Sequence, residues 1–217
     1  MHESPYYNGY FMPDIDLSAV RALIFDLDGT LIDSQKDLIL SVNAMLRELG
    51  RPELSDDTIS SYIGQGAPVL VARALGNGAA SEEHKRGIEF FLGYYEVHKM
   101  DNTRPYHGVP EALASLRDYP MAVLTNKPVR ISRRILEELG LAIGALTILR
   151  ELGVPPREAL LVGDSEVDVQ TARNAGAFAA IVNYGFGVYD RSAFPADLYL
   201  DSLADLVPLL TIRHPSR

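Results

Sequence analysis

Apolar residues follow two rhythms along this chain. Short runs at 20–26 (VRALIFD), 121–125 (MAVLT), 159–163 (ALLVG), 178–182 (FAAIV) and 197–200 (DLYL) place apolar side chains on both faces. Such runs predict strands buried in a parallel sheet. Between them the period lengthens. Leu38, Val42, Met45, Leu46 and Leu49 recur at helical spacing and stop at Gly50, and Ile88, Phe91, Leu92 and Tyr95 form a second stripe. Ser55 and Asp56 can cap a helix, and the stretch 64–76 (GQGAPVLVARALG) opens another on glycines. Helices are also expected over 129–140, 144–152, 166–176 and 202–210. Strands separated by single helices imply an α/β fold with a Rossmann-like parallel sheet core and helices on both faces. Residues 55–100 contain no strand-like run and read as a mostly helical insertion after the first strand.

Composition narrows the function. With 47% hydrophobic residues the 217-residue chain can bury a sizeable core. A formal net charge of -9 argues against general nucleic-acid binding and against an anionic membrane surface. The chain has no cysteine, which excludes disulfides, thiolate metal sites and a cysteine nucleophile, and suits a cytoplasmic protein. No apolar run approaches membrane-spanning length, and residues 1–18 lack the basic start and apolar centre of a signal peptide. Those residues read as an arm whose Tyr6, Tyr7, Tyr10 and Phe11 pack on the body or on a partner.

Ligands of such sheets collect at the carboxyl ends of the strands, and here those ends carry polar groups. Asp26 and Asp28 close the first strand, Thr125 and Asn126 the second, and Asp164 follows Gly163 at the end of the third, with Asp168 four residues on. Each fragment alone has an ordinary structural explanation as a turn or a helix cap. Together they crowd four carboxylates at one edge, which is costly unless a hard cation lies among them, and all-oxygen ligands favour magnesium. A threonine hydroxyl and exposed amides leading into the helix at Pro128 make a phosphate cradle. Lys127 stands next to that cradle and joins Thr125 and Asn126 as a phosphate-binding candidate, the alternative being a solvated side chain.

The stretches FDLDGTLIDS (25–34), VLTNKP (123–128) and VGDSEVDV (162–169) resemble the first, second and fourth motifs of the haloacid dehalogenase superfamily of phosphatases. Within it, YIGQGAPVLVARAL (62–75) and DNTRPYHGVPEAL (101–113) resemble the phosphoglycolate phosphatase branch. The resemblance implies a core of residues 19–34 and 106–217 with a helical cap, 35–105, inserted after the first strand. It implies Asp26 as nucleophile, forming an aspartyl-phosphate, and Asp28 as general acid and base. Magnesium would be held by Asp26, the backbone carbonyl of Asp28 and Asp164, with Gly163 and Asp168 in support. Thr125, Asn126 and Lys127 would hold the phosphoryl group of a small phosphorylated metabolite, 2-phosphoglycolate being favoured.

The chain departs from the family pattern in one place. The third motif, a lysine on a loop between the second and fourth, has no counterpart in ILEELGLAIGALTILRELGVPPREALLVGD (135–164). A strand and the lysine loop read as cut out near Ala142 and Ile143. Either the protein lost them or the sequence as written skips them, and the intact flanks favour a skip. That would leave an empty lane beside strand 121–125 and no lysine near Asp26. Other readings stay open: a phosphatase for a sugar phosphate or nucleotide, a phosphonate hydrolase, a receiver-like phospho-acceptor, or a non-catalytic binding protein. The cap-sized insertion, which separates the first two strands by nearly 100 residues, speaks against the receiver. Arg73 and Lys99 are candidates for gripping a substrate carboxylate, and otherwise surface charges. Oligomeric state is not legible.

Overall fold

A computed structural model describes residues 17–76, 78–141, 153–187 and 189–211, together with Tyr6, Tyr7, Tyr10 and Phe11. The first elements are two short paired strands, β1 (Tyr6–Tyr7) and β2 (Tyr10–Phe11), joined antiparallel. Leu17 is buried in the main core. The strand β3 (Ala22–Phe25) follows, then β4 (Ile32–Asp33) and four helices, α1 (Gln35–Glu48), α2 (Asp56–Ser60), α3 (Ala67–Leu75) and α4 (Ser81–His98). The chain returns through β5 (Arg104–Pro105) to α5 (Val109–Ser115), β6 (Met121–Val123), α6 (Val129–Glu138), β7 (Ala159–Gly163), α7 (Glu166–Ala175), β8 (Phe178–Val182), β9 (Leu198–Leu200) and α8 (Leu206–Thr211).

Five strands form one parallel sheet in the order β6-β3-β7-β8-β9, as the apolar runs predict. Strand alternation sorts its two faces. Leu23, Phe25, Leu160, Val162, Ala180 and Val182 join one apolar cluster, while Ile24, Ala159, Leu161, Ala179 and Ile181 join the other. Val169 and Ala172 of α7 cover the second face, and α5, α6 and α8 contribute to the first. β3, β6 and β9 are shorter than their runs: β6 stops at Val123, so Thr125 and Asn126 lie on the following loop. Among the described residues β6 pairs only with β3 and forms an edge. The step from Ala142 to Ile143 and the expected helix 144–152 lie outside the described residues.

The helical insertion leaves and returns through one antiparallel ribbon, β4 with β5, pairing Ile32 with Pro105 and Asp33 with Arg104. Beside it the buried Asp37 accepts hydrogen bonds from the backbone and side chain of Asn102 and of Thr103, at 2.7–3.0 Å. Within the insertion, α1 and α4 form the main contact and α3 packs on α4. Gly87 permits this, because a Cβ there would lie 3.1 Å from the Val71 side chain and 3.3 Å from Met45 Sδ. Leu38, Val42 and Met45 of α1 and Phe91 and Tyr95 of α4 belong to the same apolar cluster as the sheet, so the insertion and core share one apolar boundary. Ion pairs reinforce it: Glu96 meets Arg134 at 2.7 Å and Arg130 at 3.1 Å, and Lys99 meets Glu138 at 3.1 Å.

Candidate active site

The first strand carries its chemistry past the sheet edge because the backbone stays paired up to it. The Asp26 N–H donates to the Val162 carbonyl at 2.9 Å, which places its side chain beside the end of β7. The chain then turns at Gly29, whose φ of +85° suits glycine and where a Cβ would lie 2.0 Å from Asp164 Oδ2. At the end of β7, Gly163 is needed for a different reason: a Cβ there would overlap the Asp168 carboxyl carbon at 2.1 Å. Small residues therefore let three carboxylates converge. Asp26, Asp164 and Asp168 each offer an oxygen, all within 4.8 Å of one another.

Asp168 is a helix cap as well as a member of this cluster. Its Oδ2 accepts from the Ser165 hydroxyl at 2.7 Å, the Ser165 N–H at 3.0 Å and the Asp164 N–H at 3.2 Å. Asp164 accepts at Oδ2 from the Gly187 N–H at 2.8 Å, on the loop after β8. Burial raises the Asp26 carboxyl well above the ordinary range, with Asp168, Asp28 and Asp164 adding like-charge repulsion. Burial likewise pushes Asp164 up to about 7, although the Gly187 amide opposes the shift, and it raises Asp168. A group of buried oxygen ligands that resist sharing negative charge fits a hard divalent cation such as magnesium. Asp26, Asp164 and Asp168 could each offer an oxygen to such a cation.

Asp28 faces the other way. Its Oδ1 accepts from the Ser34 hydroxyl at 2.5 Å and lies 2.9 Å from Lys127 Nζ. Lys127 is 8% exposed, which corrects the solvated alternative and the expectation of no lysine near Asp26. Its ammonium also donates to the Tyr95 hydroxyl at 2.5 Å and lies 4.4 Å from that ring's centroid. Burial alone would lower the Lys127 pKa, but Asp28 and Tyr95 outweigh it and the net shift is upward. Thr125 turns the loop by accepting from the Lys127 N–H at 3.2 Å, and the Asn126 side chain donates to the Gly64 carbonyl of the insertion at 2.9 Å.

Two cavities meet at Asp26. One is polar and runs between Thr125, Asn126, Asp164 and Asp168. The other contains Asp28 and Lys127 and is walled by Leu38, Ile63, Leu70 and Phe91 of the insertion and its flanks. Asp26, Thr125, Asn126 and Gly64 line both, which defines the point where a reacting group would bridge them. Lys99 is 6% exposed and paired with Glu138, so it is neither a surface charge nor part of these cavities. Arg73 is exposed, donating to Gln65 Oε1 at 2.9 Å. Ser34, Tyr95 and Gly187 were not among the residues expected from sequence. Ser34 closes the FDLDGTLIDS stretch, and Gly187 belongs to a glycine pair, GFG, after a strand; Tyr95 had no signal beyond its place in an apolar stripe.

No helix among the described residues is long and apolar enough to cross a membrane. Residues 20–176 match the family model described as haloacid dehalogenase-like hydrolase. The chain is 37% identical to a phosphoglycolate phosphatase of Chromobacterium violaceum, over 90% of this chain and 99% of that protein. It is 31% identical to an N-acetylmuramic acid 6-phosphate phosphatase of Pseudomonas aeruginosa, over 88% of this chain and 95% of that one. The solved structure of a predicted phosphoglycolate phosphatase from Haemophilus somnus superposes with a TM-score of 0.82 at 28% identity, covering 89% of this chain and 99% of its own. A parallel sheet with carboxylates at the ends of β3 and β7, a family match over residues 20–176 and these relatives agree: the chain belongs to the haloacid dehalogenase-like hydrolases.

Proposed function

We propose that the protein is a magnesium-dependent phosphomonoesterase that works through an aspartyl-phosphate on Asp26, with 2-phosphoglycolate as its substrate. One observation carries this reading: Asp26 belongs to a three-carboxylate cluster and shares its cavities with the loop that presents Thr125, Asn126 and Lys127. Asp26 Oδ attacks phosphorus as the bond to the leaving oxygen breaks. Ser34 and Lys127 both engage Oδ1 of Asp28, leaving Oδ2 to deliver a proton to that oxygen. Water then attacks the phosphorus, Asp28 takes its proton, and the acyl–phosphate bond breaks to release inorganic phosphate and free Asp26. The Thr125 hydroxyl, the Asn126 amide and the Lys127 ammonium hold the phosphoryl oxygens. Magnesium on Asp26, Asp164 and the Asp28 carbonyl would supply charge neutralisation for the two anions that must approach.

The insertion, 35–105, acts as a cap whose apolar wall excludes water during the first step. Lys127 supplies the cation that the absent third motif would otherwise bring, which favours catalysis over a binding-only role. A cysteine-free chain acting on a small metabolite fits the cytoplasm. The second reading, a sugar phosphate as substrate, is favoured by the N-acetylmuramic acid 6-phosphate phosphatase relative.

The test is phosphate release from 2-phosphoglycolate, N-acetylmuramic acid 6-phosphate and p-nitrophenyl phosphate with magnesium, paired with borohydride trapping of the acyl phosphate. The expected result is the highest kcat/KM on 2-phosphoglycolate and a reduced residue at position 26. Release from none of the three, or trapping elsewhere, would refute the proposal.

A further inference from the structure

We propose that Tyr95 is a positioning residue of the phosphoryl site: from the helical insertion, its hydroxyl fixes the Lys127 ammonium so that one N–H is left for the substrate. The inference rests on the phosphatase reading above. An ammonium has three N–H groups and no acceptor. Asp28 takes one and the Tyr95 hydroxyl a second, and the remaining one serves the cavity that Lys127 shares with Asp26 and Thr125. A lysine on a flexible four-carbon stem with only a carboxylate beside it would settle onto that carboxylate with more than one N–H. The neutral Tyr95 oxygen, a second acceptor from another element, competes for one of those N–H groups.

Tyr95 is built for that task. It is 2% exposed, its ring stacks on Phe91 with centroids 5.8 Å apart and planes 4° apart, and the same ring carries the ammonium at 4.4 Å. Burial, partly countered by Lys127, pushes its hydroxyl up to about 12, so it stays a neutral partner. Tyr95 belongs to α4 and Lys127 to the loop between β6 and α6. The contact therefore exists only when insertion and core are together, and the site is complete only then.

Tyr95→Phe removes the hydroxyl and keeps the ring. With 2-phosphoglycolate and p-nitrophenyl phosphate, this variant should lose about tenfold in kcat, the scale of one hydrogen bond to a charged group. Its melting temperature should stay within a few degrees of the parent. The discriminating measurement is the double-mutant cycle: in a Lys127→Met background, Tyr95→Phe should change kcat less than about twofold. The same cycle read on orthovanadate affinity by calorimetry serves where Lys127→Met is too slow to assay. A Tyr95→Phe enzyme as fast as the parent overturns the inference. So does an equal loss in both backgrounds, which would mark Tyr95 as merely structural. A parent protein that hydrolyses no phosphomonoester would instead sink the phosphatase reading, and this inference with it.

Discussion

Lys127 Nζ lies 2.9 Å from Asp28 Oδ1 at a site where both side chains are shielded, the lysine at 4% and the aspartate at 16% side-chain exposure. Breaking a buried pair from one side leaves an uncompensated charge. Lys127→Met should therefore cost on the order of 3 kcal/mol of stability as well as activity. Chemical denaturation at neutral pH checks the first effect. A variant as stable as the parent would mean that Asp28 is solvated rather than paired.

Asp26→Asn should abolish turnover and leave the fold intact, because an amide is a poor nucleophile and the substitution removes one of the clustered like charges. Without metal at pH 7.5 the variant should melt above the parent. Retained turnover of p-nitrophenyl phosphate would refute the assignment of Asp26 as nucleophile.

Activity should require magnesium, and calcium should replace it at a rate lower by at least about tenfold, since calcium accepts more ligands in looser geometry. Initial rates after EDTA treatment, with each ion restored, decide this. Equal rates would argue against a site that enforces octahedral geometry at Asp26 and Asp164.

The metal-free protein should lose stability as pH rises from about 4 to about 7. The folded pKa of Asp164, about 7, exceeds that of an unfolded aspartate, and Asp26 shifts in the same direction. In that window the folded chain keeps protons that the unfolded chain has released, so raising pH favours unfolding; below it both states are protonated and no difference remains. Magnesium binds the deprotonated site and should cancel the loss. The melting temperature with EDTA should thus be lower at pH 7.5 than at pH 5.5, by about 5 °C or more, and nearly level with magnesium. A level profile without metal would show that the three carboxylates are not mutually strained.

Asp37→Ala should destabilise the chain by about 3 kcal/mol, because it strands buried donors of Asn102 and Thr103 that had a charged acceptor. Asp37→Asn, which keeps one acceptor oxygen, should cost less. Equal losses in the two variants would show that volume, not hydrogen bonding, sets the effect.

Much of the sheet was legible because its strands are continuous apolar runs: β7 and β8 begin and end where ALLVG and FAAIV do. β3 and β6 are shorter than the runs VRALIFD and MAVLT, although single backbone bonds continue past their ends, from the Asp26 N–H to Val162 and from the Leu124 N–H to Phe25. Asp26, Asp164 and Asp168 could be expected together because each sits at a fixed offset from a strand end. Lys127 could not be placed so readily. A lysine before a proline on a loop reads as solvated, and its burial depends on Tyr95, which lies 32 residues earlier on another element. Asp37 gave no signal for the same reason, since its partners are 65 and 66 residues away.

The β4–β5 ribbon makes the helical insertion a graft with a single scion point. Chain leaving at Asp33 and returning at Arg104 passes through paired neighbours. The strands that carry Asp26 and Asp164 lie outside the segment that this ribbon encloses. Most of the wall of the cavity that holds Lys127 therefore belongs to the inserted segment, and the three clustered carboxylates lie outside it.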